Sequence, residues 1–470
     1  MGEHVHFLGI CGYAVHGAAL LAKERGYTVS GSDAFAYPPI STVITEAGIP
    51  WVNAYAASNV EMFGHPDLVV VGNNVRPGNV EWEAVQQAGI PTVSEIEFFM
   101  QLVGDRERLA VIGTHGKTTT SSALAVMLDH AGLDPGFRIG GIVRDFDAAT
   151  RLGSGPFVFE GDEYTTAVWD RSPKFAHIHP RIAGIVNLEW DHPDIYPSFD
   201  AYLEPFFAMA AAMPVDGFLV VNGDDPAAVA VGSAAPCRVE QFGMGEYVEW
   251  RIAGASSSGM MQEWDLVHES DGESTHFTLP RPGTHDAGNI SLAAILAHEL
   301  RVPMETAAKA VRHFRGPGRR FELLTTEFSI TVIDDYAHHP SEVQAVLEAA
   351  RRAFPQNRII GIHTPHTYTR TRALLGAYDT CCRSADMIVL GPIDAARERG
   401  SEQIVTDAEV RDAIHGPEVI LATDADDAEK KVNSILRPGD VVVVLSLSGF
   451  DKIADRIAAH VRQAFPPLHQ

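Results

Sequence analysis

A short loop that combines glycines with a lysine and threonines has the clearest chemistry in this sequence. It follows the apolar run 109–112, precedes a helix-like segment 121–128, and reads Gly113-Thr114-His115-Gly116-Lys117-Thr118-Thr119-Thr120. In such a strand–loop–helix arrangement, backbone N–H groups face an anion, the lysine adds a positive charge, and a threonine hydroxyl can ligate Mg²⁺. Val111 stands where the full pattern has its first glycine, so the loop is a shortened form. We predict a nucleotide phosphate site here; a glycine turn with a solvated lysine is the alternative.

Acidic residues follow two later strand-like runs. The run 157–159 leads into Glu160, Asp162 and Glu163, and the run 182–188 leads into Glu189, Asp191 and His192. Mg²⁺ takes a few hard oxygen ligands and keeps several waters. Carboxylates at strand ends beside a phosphate loop therefore predict a magnesium–nucleotide site, although any one of these acids could equally be a solvated loop residue.

The first hundred residues have the layout of a Rossmann-like nucleotide unit. A strand over 5–10 leads through a turn containing Gly9 and Gly12 into a helix over 14–25, and a second strand ends at Asp33. The glycine spacing departs from G-x-G-x-x-G, which disfavours an ordinary nicotinamide or flavin oxidoreductase. Asn73 follows the strand 68–71, where its amide could contact a ligand or simply form a turn.

The segment between the two nucleotide-like regions has a different character. Alternating polar and apolar residues over 237–279 predict a peripheral antiparallel sheet. A helix is predicted over 290–299, and the segment that precedes it contains His285 and Asn289. These two side chains could contact a base or a phosphate, with helix capping as the alternative.

The last third predicts a second open sheet. Apolar runs at 330–333, 359–363, 387–390, 419–421 and 441–445 alternate with helix-like segments. A helix is predicted to start at Ser341, and the adjacent His338 and His339 lack the partners of a zinc site. The run Pro365–Arg372, rich in arginine and hydroxyl groups, suits anionic ligands.

The composition limits the classes of protein. A chain of 470 residues with 46% hydrophobic and 21% charged residues predicts a globular α/β protein of about three domains. We place these domains at 1–106, 107–316 and 317–470. The formal charge of −25 disfavours nucleic-acid and anionic-membrane surfaces. Four cysteines without metal or disulfide spacing, and no long apolar run, indicate a cytoplasmic protein, expected as a monomer or weak dimer.

These motifs, in this order, resemble the Mur ligase family over nearly the whole chain. The resemblance implies ATP-dependent amide ligases of peptidoglycan assembly with three domains. The first is Rossmann-like and holds UDP-N-acetylmuramate, the second holds ATP, and the third, also Rossmann-like, brings the amine. The shortened loop with Val111 is the family's own form. The implied reaction passes through an acyl phosphate on the substrate's lactyl carboxylate, with two Mg²⁺ ions.

The resemblance also implies roles for individual residues. The implied catalytic residues are Lys117, Glu160, His192 and Arg320, and the implied magnesium ligands are Thr118, Glu160 and His192. The implied ATP contacts are Gly113, Thr114, Gly116, Lys117, Thr118, Thr119, His285, Asn289, Arg320, Asp335 and His338. The implied UDP-N-acetylmuramate contacts are Gly9, Gly12, Asp33, Asn73, His115, Glu163 and Asn187. The implied amine contacts are Tyr336, His366, Tyr368, Arg370 and Arg372.

Two branches of the family use UDP-N-acetylmuramate itself. Asp162-Glu163-Tyr164, Lys174-Phe175 and Ser446–Phe450 resemble the branch that attaches the recycled tripeptide L-alanyl-γ-D-glutamyl-meso-diaminopimelate. Pro365–Arg372 instead resembles the branch that attaches L-alanine. We expect the tripeptide, with L-alanine as the alternative. Three rival interpretations remain. A nicotinamide oxidoreductase leaves the phosphate loop unexplained, and folylpolyglutamate-type ligases share the loop but lack a UDP-binding first domain. A non-catalytic nucleotide sensor would bind ATP yet release no ADP with UDP-N-acetylmuramate and an amine.

Overall fold

The computed structural model describes residues 2–34, 36, 40–325, 329–396, 398 and 400–465. The chain forms two compact units, which are described separately. The first comprises Met1–Leu188, Leu203–Phe242 and Leu292–Ala310, and the second comprises Glu189–Tyr202, Gly243–Ser291 and Val311–Gln470. The predicted α/β class is confirmed, whereas the three domain boundaries stay predictions. Among the described residues, no helix combines the length and apolar character needed to cross a membrane.

The first sheet of the first unit is parallel throughout, in the order β3-β2-β1-β4-β5. Its elements are β1 (His4–Leu8), α1 (Tyr13–Glu24), β2 (Thr28–Ser32), α2 (Ile40–Glu46), β3 (Trp51–Val52), α3 (Asn59–Met62), β4 (Leu68–Val71), α4 (Val80–Ala88), β5 (Thr92–Ser94) and α5 (Glu95–Val103). Strands β1 and β4 are buried along their whole length, as expected for a sheet covered on both faces. The strand order reverses between them, and ligands of such sheets bind outside the carboxyl ends at that point. Gly9 and Asn73 follow these two strands closely.

The second sheet of the first unit carries the phosphate loop. Its elements are β6 (Arg108–Ile112), α6 (Lys117–His130), β7 (Gly136–Val143), β8 (Ala148–Arg151), β9 (Phe157–Glu160), β12 (Ile182–Ile185), α7 (Phe199–Ala211), β13 (Phe218–Asn222), α8 (Pro226–Gly232) and β14 (Arg238–Gly243). A separate hairpin comprises β10 (Thr165–Ala167) and β11 (Asp170–Pro173), followed by a 3₁₀ turn at Lys174–His177.

The order in this sheet is β14-β13-β12-β6-β9-β7-β8, and β8 alone of these strands runs antiparallel to its neighbour. Strand β6 therefore lies between β9 and β12, which bring Glu160 and Asn187 beside the loop that follows β6. Strand β14 pairs in parallel with β13, so the prediction that an antiparallel sheet starts at Cys237 is wrong. The antiparallel pairing starts with the next strand.

The second unit contains an antiparallel meander and a mixed sheet. The meander is β15 (Trp250–Ser258), β16 (Met261–His268) and β17 (Ser274–Leu279). Helix α9 (Thr284–Glu299) begins in this unit; its residues from Leu292 onward, and α10 (Met304–Val311) up to Ala310, belong to the first unit. The remaining elements are β18 (Glu322–Thr325), β19 (Thr331–Asp335), α11 (Pro340–Ala353), β20 (Ile359–His363), α12 (Tyr368–Ala373), α13 (Tyr378–Cys381), β21 (Met387–Leu390), α14 (Asp407–Ala413), β22 (Glu418–Leu421), α15 (Ala425–Ile435), β23 (Val441–Leu445) and α16 (Ile453–Ala464), with a 3₁₀ turn at Leu375–Ala377.

The mixed sheet has the order β18-β19-β23-β20-β21-β22, and only β18 is antiparallel. Two predicted helix starts are wrong. Helix α11 begins at Pro340 and not at Ser341, because His339 is its N-cap and Glu342 completes a capping box. Helix α9 begins at Thr284 and not at residue 290, so His285 and Asn289 lie within its first turns.

Candidate active site

Both polar ends of the Asn187 side chain hold the phosphate loop. The Oδ1 atom accepts a hydrogen bond of 2.9 Å from the His115 N–H, and Nδ2 donates to the His115 carbonyl at 3.0 Å. The Asn187 carbonyl accepts from the Thr114 N–H at 2.9 Å. Gly113 has φ +130°, and a Cβ there would lie 2.6 Å from the same carbonyl oxygen, so only glycine fits. Asn187 was expected to contact the sugar nucleotide; in the structure it positions the loop.

Lys117 is buried beneath this loop. Its Nζ donates to the carbonyls of Gly113 at 2.8 Å and Thr114 at 3.0 Å, and it forms a 2.8 Å ion pair with Glu163. Burial by itself would lower the pKa of Lys117, but Glu163 and then Glu160 outweigh it and raise the pKa. The ammonium group is therefore charged at neutral pH, as a phosphate contact requires.

The Glu160 carboxylate lies between a threonine hydroxyl and a backbone N–H. Thr118 Oγ1 donates to Glu160 Oε1 at 2.7 Å, and the Gly140 N–H donates to Oε2 at 2.6 Å. A Cβ on Gly140 would lie 3.0 Å from the carboxylate, so glycine leaves it room. Burial, then the neighbouring Asp162, raises the pKa of Glu160. The carboxylate and the hydroxyl are hard oxygen ligands, and a cation beside them would stabilise the charged form of the carboxylate. The pair therefore fits Mg²⁺.

The predicted sugar-nucleotide contacts in the first sheet surround the end of β1. Gly9 has φ +83°, and its carbonyl accepts from the Gly12 N–H at 2.9 Å, which closes the glycine turn. Asp33 follows β2 and accepts from the Cys11 N–H at 2.9 Å. This carboxylate therefore reaches back into the turn. Asn73 lies in a turn after β4 at the same carboxyl edge, so the predicted residues Gly9, Gly12, Asp33 and Asn73 share one edge.

Arg370 joins the His192 loop to helix α12 in the second unit. Its Nε lies 2.8 Å from Asp191 Oδ1, and its Nη2 donates to His192 Nδ1 at 3.1 Å. Burial would raise the pKa of Asp191, but His192 and Arg370 outweigh it and lower the pKa. His192 Nε2 lies 3.5 Å from Asp191, so both ring nitrogens face charged groups. This arrangement fits a metal at His192 less directly than the one around Glu160.

The predicted amine contacts divide into two groups. His366 Nδ1 accepts from Arg370 at 3.2 Å, and its ring meets the His338 ring edge to face, with centroids 5.6 Å apart. The Tyr336 ring meets His338 similarly, at 5.7 Å. Two predicted contacts lie apart from this cluster: Tyr368 packs against the hydrophobic core of the sheet, and Arg372 pairs with Glu409 on α14.

The predicted ATP contacts of the second unit lie around two turns. Asp335 accepts from the Phe321 N–H and the Ala337 N–H, both at 2.7 Å, and so holds the backbone beside Arg320. Burial raises the pKa of this carboxyl, and Arg320 opposes that change. Arg320 itself lies 3.5 Å from Glu342. Elsewhere, Asn289 donates to Asp286 at 3.1 Å, and His285 is partly exposed.

Sequence reasoning assigned no function to Glu95 or Arg138, which belong to a group of charged side chains beside Glu160. Glu95, at the start of α5, pairs with Arg138 on β7 and with Lys174 after β11. Arg138 also pairs with Asp162. The signal was present, because a charged residue interrupts the apolar run Phe137–Ile139 and an acid follows a strand directly. Charged residues at such positions are rarely buried unless they are paired.

Comparisons with known proteins cover nearly the whole chain. Residues 4–106 match the model "Mur ligase family, catalytic domain", residues 111–297 match "Mur ligase middle domain", and residues 319–447 match "Mur ligase, glutamate ligase domain". A UDP-N-acetylmuramate–L-alanine ligase from Roseiflexus sp. (strain RS-1) is 33% identical over 482 residues, covering 98% of this chain and 99% of the relative.

Two solved structures are also similar. The murein peptide ligase of Psychrobacter arcticus 273-4 has a TM-score of 0.76 and 28% identity, covering 98% of this chain and 99% of that one. The UDP-N-acetylmuramate:L-alanyl-gamma-D-glutamyl-meso-diaminopimelate ligase of Neisseria meningitides has a TM-score of 0.63 and 33% identity. That alignment covers 68% of this chain and all of the other.

Proposed function

Because this chain belongs to the Mur ligase family of ATP-dependent amide ligases, we propose that it joins the lactyl carboxylate of UDP-N-acetylmuramate to L-alanine. The observation that carries the proposal is the full-length match to a relative named for that reaction. The proposal departs from the tripeptide that the sequence first suggested, because the curated relatives favour the alternative.

The position of the relevant residues supports L-alanine. The run Pro365–Arg372, which resembles the L-alanine branch, contains His366 and Arg370. These two side chains hydrogen-bond to each other, and Arg370 also hydrogen-bonds to His192. The residues that resemble the tripeptide branch include Asp162 and Lys174, which belong to the ion pairs of the first unit. Since the family's third domain brings the amine, the first of these resemblances bears more directly on the choice of amine.

The tripeptide remains the second candidate, and a specific observation favours it. Two of the solved structures similar to this chain are tripeptide or murein peptide ligases, and one of these is as similar in sequence as the L-alanine relatives, although over two thirds of the chain. The two candidates differ in the length and charge of the amine and share the carboxylate substrate and ATP.

The first-unit residues have defined tasks under either candidate. Lys117 and the N–H groups of residues 113–118 would hold ATP phosphates, and Thr118 with Glu160 would hold one Mg²⁺ ion. Arg320 and Asp335 would contribute to the nucleotide from the second unit. A second Mg²⁺ at His192 is part of the proposal. Catalysis of phosphoryl transfer is mostly positioning and electrostatic stabilisation, which a buried and charged site favours.

The decisive experiment measures ADP release with ATP, Mg²⁺ and UDP-N-acetylmuramate, with each amine in turn. We expect L-alanine to support turnover with a kcat/KM at least about tenfold above that of the tripeptide, a difference of about 1.4 kcal/mol. Mass spectrometry of the product must show one added alanine. L-alaninamide, which lacks the carboxylate, is the matched control and should be a poor substrate. Preference for the tripeptide would overturn the proposal in favour of the second candidate.

A further inference from the structure

A network of four charged side chains, of which Glu95, Arg138 and Lys174 are buried and Asp162 is half-buried, lies between the first sheet and the phosphate-loop sheet of the first unit. Arg138 Nε donates to Glu95 Oε1 at 2.6 Å, and its Nη2 donates to Asp162 Oδ2 at 2.9 Å. Lys174 Nζ lies 3.0 Å from Glu95 Oε2. The side chains of Glu95 and Arg138 are only 1% and 2% exposed. Of these four residues, only Asp162 was given a role above, as one of the acids of the predicted magnesium–nucleotide site.

The network holds the residue that carries the magnesium carboxylate. Arg138 Nη1 donates to the Glu160 backbone carbonyl at 3.1 Å. Two residues along the same strand, the Gly140 N–H donates to the Glu160 side chain at 2.6 Å. Strand β7 therefore hydrogen-bonds to Glu160 at both its backbone carbonyl and its carboxylate. The same guanidinium holds Asp162, and the next residue, Glu163, pairs with Lys117.

The anchor of the guanidinium comes from the first sheet. Glu95 is the first residue of α5, directly after β5. It binds Arg138 through both carboxylate oxygens, at 2.6 and 3.2 Å, which fixes the plane of the guanidinium. Burial would raise the pKa of Glu95, but Arg138 and Lys174 outweigh it and lower the pKa to about 2. The anchor is thus charged at every pH at which the enzyme would work.

We propose that Arg138 is a positioning residue that sets the Glu160 carboxylate for Mg²⁺, and that Glu95 holds Arg138 in place. The inference rests on the Mg²⁺–ATP site of the proposed function and not on the choice of amine. It assigns a role to an arginine that touches neither nucleotide nor metal. The fixed fork of a guanidinium can hold Glu95, Asp162 and the Glu160 carbonyl at once, whereas a lysine cannot.

The test is a binding measurement that needs neither sugar nucleotide nor amine. Mn²⁺ replaces Mg²⁺, and its binding to the protein with a non-hydrolysable ATP analogue is followed by electron paramagnetic resonance. For Arg138→Lys, which keeps the charge, we expect the Mn²⁺ Kd to rise about tenfold, a loss of about 1.4 kcal/mol. Binding of the analogue without a cation should change less than twofold. ADP release should recover at high Mg²⁺.

Arg151→Lys is the matched control. Arg151 lies on β8, the strand next to β7, and it also bridges two acids, Asp129 and Asp134. These partners are partly exposed and do not touch Glu160. Its Mn²⁺ affinity should equal that of the wild type. Glu95→Gln should weaken Mn²⁺ binding in the same direction as Arg138→Lys, by a smaller factor, since the neutral amide holds the guanidinium less firmly.

Several outcomes would overturn the proposal. An unchanged Mn²⁺ Kd in folded Arg138→Lys would refute the positioning role, and an unchanged Kd in Glu95→Gln would refute the anchor. An equal loss of analogue binding with and without cation would show that the arginine has only a structural role. If the wild type binds Mn²⁺ as expected yet releases no ADP with any amine, the proposed function fails while this inference stands.

Discussion

Buried titratable groups around the phosphate loop of the first unit are held in their charged forms, whereas several buried titratable groups of the second unit are held in their neutral forms. Around the phosphate loop, every buried base has an acid partner: Lys117 pairs with Glu163, while Arg138 and Lys174 share Glu95. The ion pairs keep these groups charged, because they raise the pKa of the two bases Lys117 and Arg138 and lower that of Glu95.

The second unit favours neutral forms instead. Burial lowers the pKa of His338 well below its usual range, and burial lowers that of His363 to about 4. Burial also raises the pKa of Asp334 to about 6. The buried ion pairs Arg370–Asp191 and Arg281–Asp286 depart from this pattern. The region around the phosphate loop is therefore charged and preorganised for a polyanion and a metal. The titratable groups of the second unit instead change charge within a few pH units of neutrality.

The largest expected effect comes from removing the lysine of the charged region. Lys117→Met should reduce ADP release by at least about 10³-fold, because it deletes a charge aimed at the transferring phosphates in a buried site. Sugar-nucleotide binding, measured by calorimetry, should largely survive, since four of its predicted contacts, Gly9, Gly12, Asp33 and Asn73, lie at the first sheet. Lys309→Met, which alters an exposed lysine on α10, is the control. Wild-type-like turnover by Lys117→Met would contradict the assignment of the loop.

The next effect separates two arginines of one helix in the second unit. Arg370→Gln should reduce kcat by about 30–100-fold, because Asp191 is left buried without its cation and His192 loses a hydrogen bond. Arg372→Gln should change kcat less than about twofold, since its pair with Glu409 is partly exposed and such pairs contribute little. Equal losses in steady-state assays of both variants would return Arg372 to the amine site.

The sequence predicted those parts of the fold that depend on local patterns. The strand–loop–helix around Lys117 and the strands that carry Glu160 and Asp335 lie where the apolar runs placed them. Strand β14 was misassigned because its parallel pairing is decided by β13, which local alternation cannot reveal. The start of α11 was misplaced because histidine is not among the residues that usually cap helices.

The site was predicted where chemistry follows from residue type and missed where it follows from distant partners. A lysine in a glycine-rich loop predicts a phosphate contact without further information. Arg138 and Glu95 are 43 residues apart, and nothing local shows that the fold joins them. The contact of Asn187 with His115 was missed for the same reason, because it spans 72 residues, and the predicted contact of Asn187 with the sugar nucleotide stays a prediction.

Acidification should affect the two regions at different pH values. His363 is fully buried, and burial lowers its pKa to about 4 from an ordinary 6.5. Its contribution to the free energy of unfolding is therefore present above pH 6.5 and is lost as the pH falls towards 4, by at most about 3 kcal/mol. Glu95, with a pKa of about 2, loses its contribution only as the pH falls from 4.5 towards 2.

The measurement compares melting temperatures between pH 7 and pH 4. The wild type should lose more stability over this range than His363→Gln, which cannot titrate but can still donate to the Leu445 carbonyl. Glu95→Gln should change the wild-type pH dependence little above pH 4.5. If the melting temperatures of the wild type and His363→Gln fall equally between pH 7 and pH 4, His363 is not held in its neutral form.

The smallest expected effect has the opposite sign and tests the same contrast. Asp334 pairs with Arg319 at 3.1 Å, yet burial outweighs this pair and raises the carboxyl pKa to about 6. Its stabilisation is therefore present below pH 3.8 and is lost as the pH rises through 6. Asp334→Asn removes this titration, so its stability relative to the wild type should improve between pH 4 and pH 8, by at most about 3 kcal/mol. A relative loss of stability over this range would mean that Arg319 keeps Asp334 charged and that this part of the second unit resembles the first.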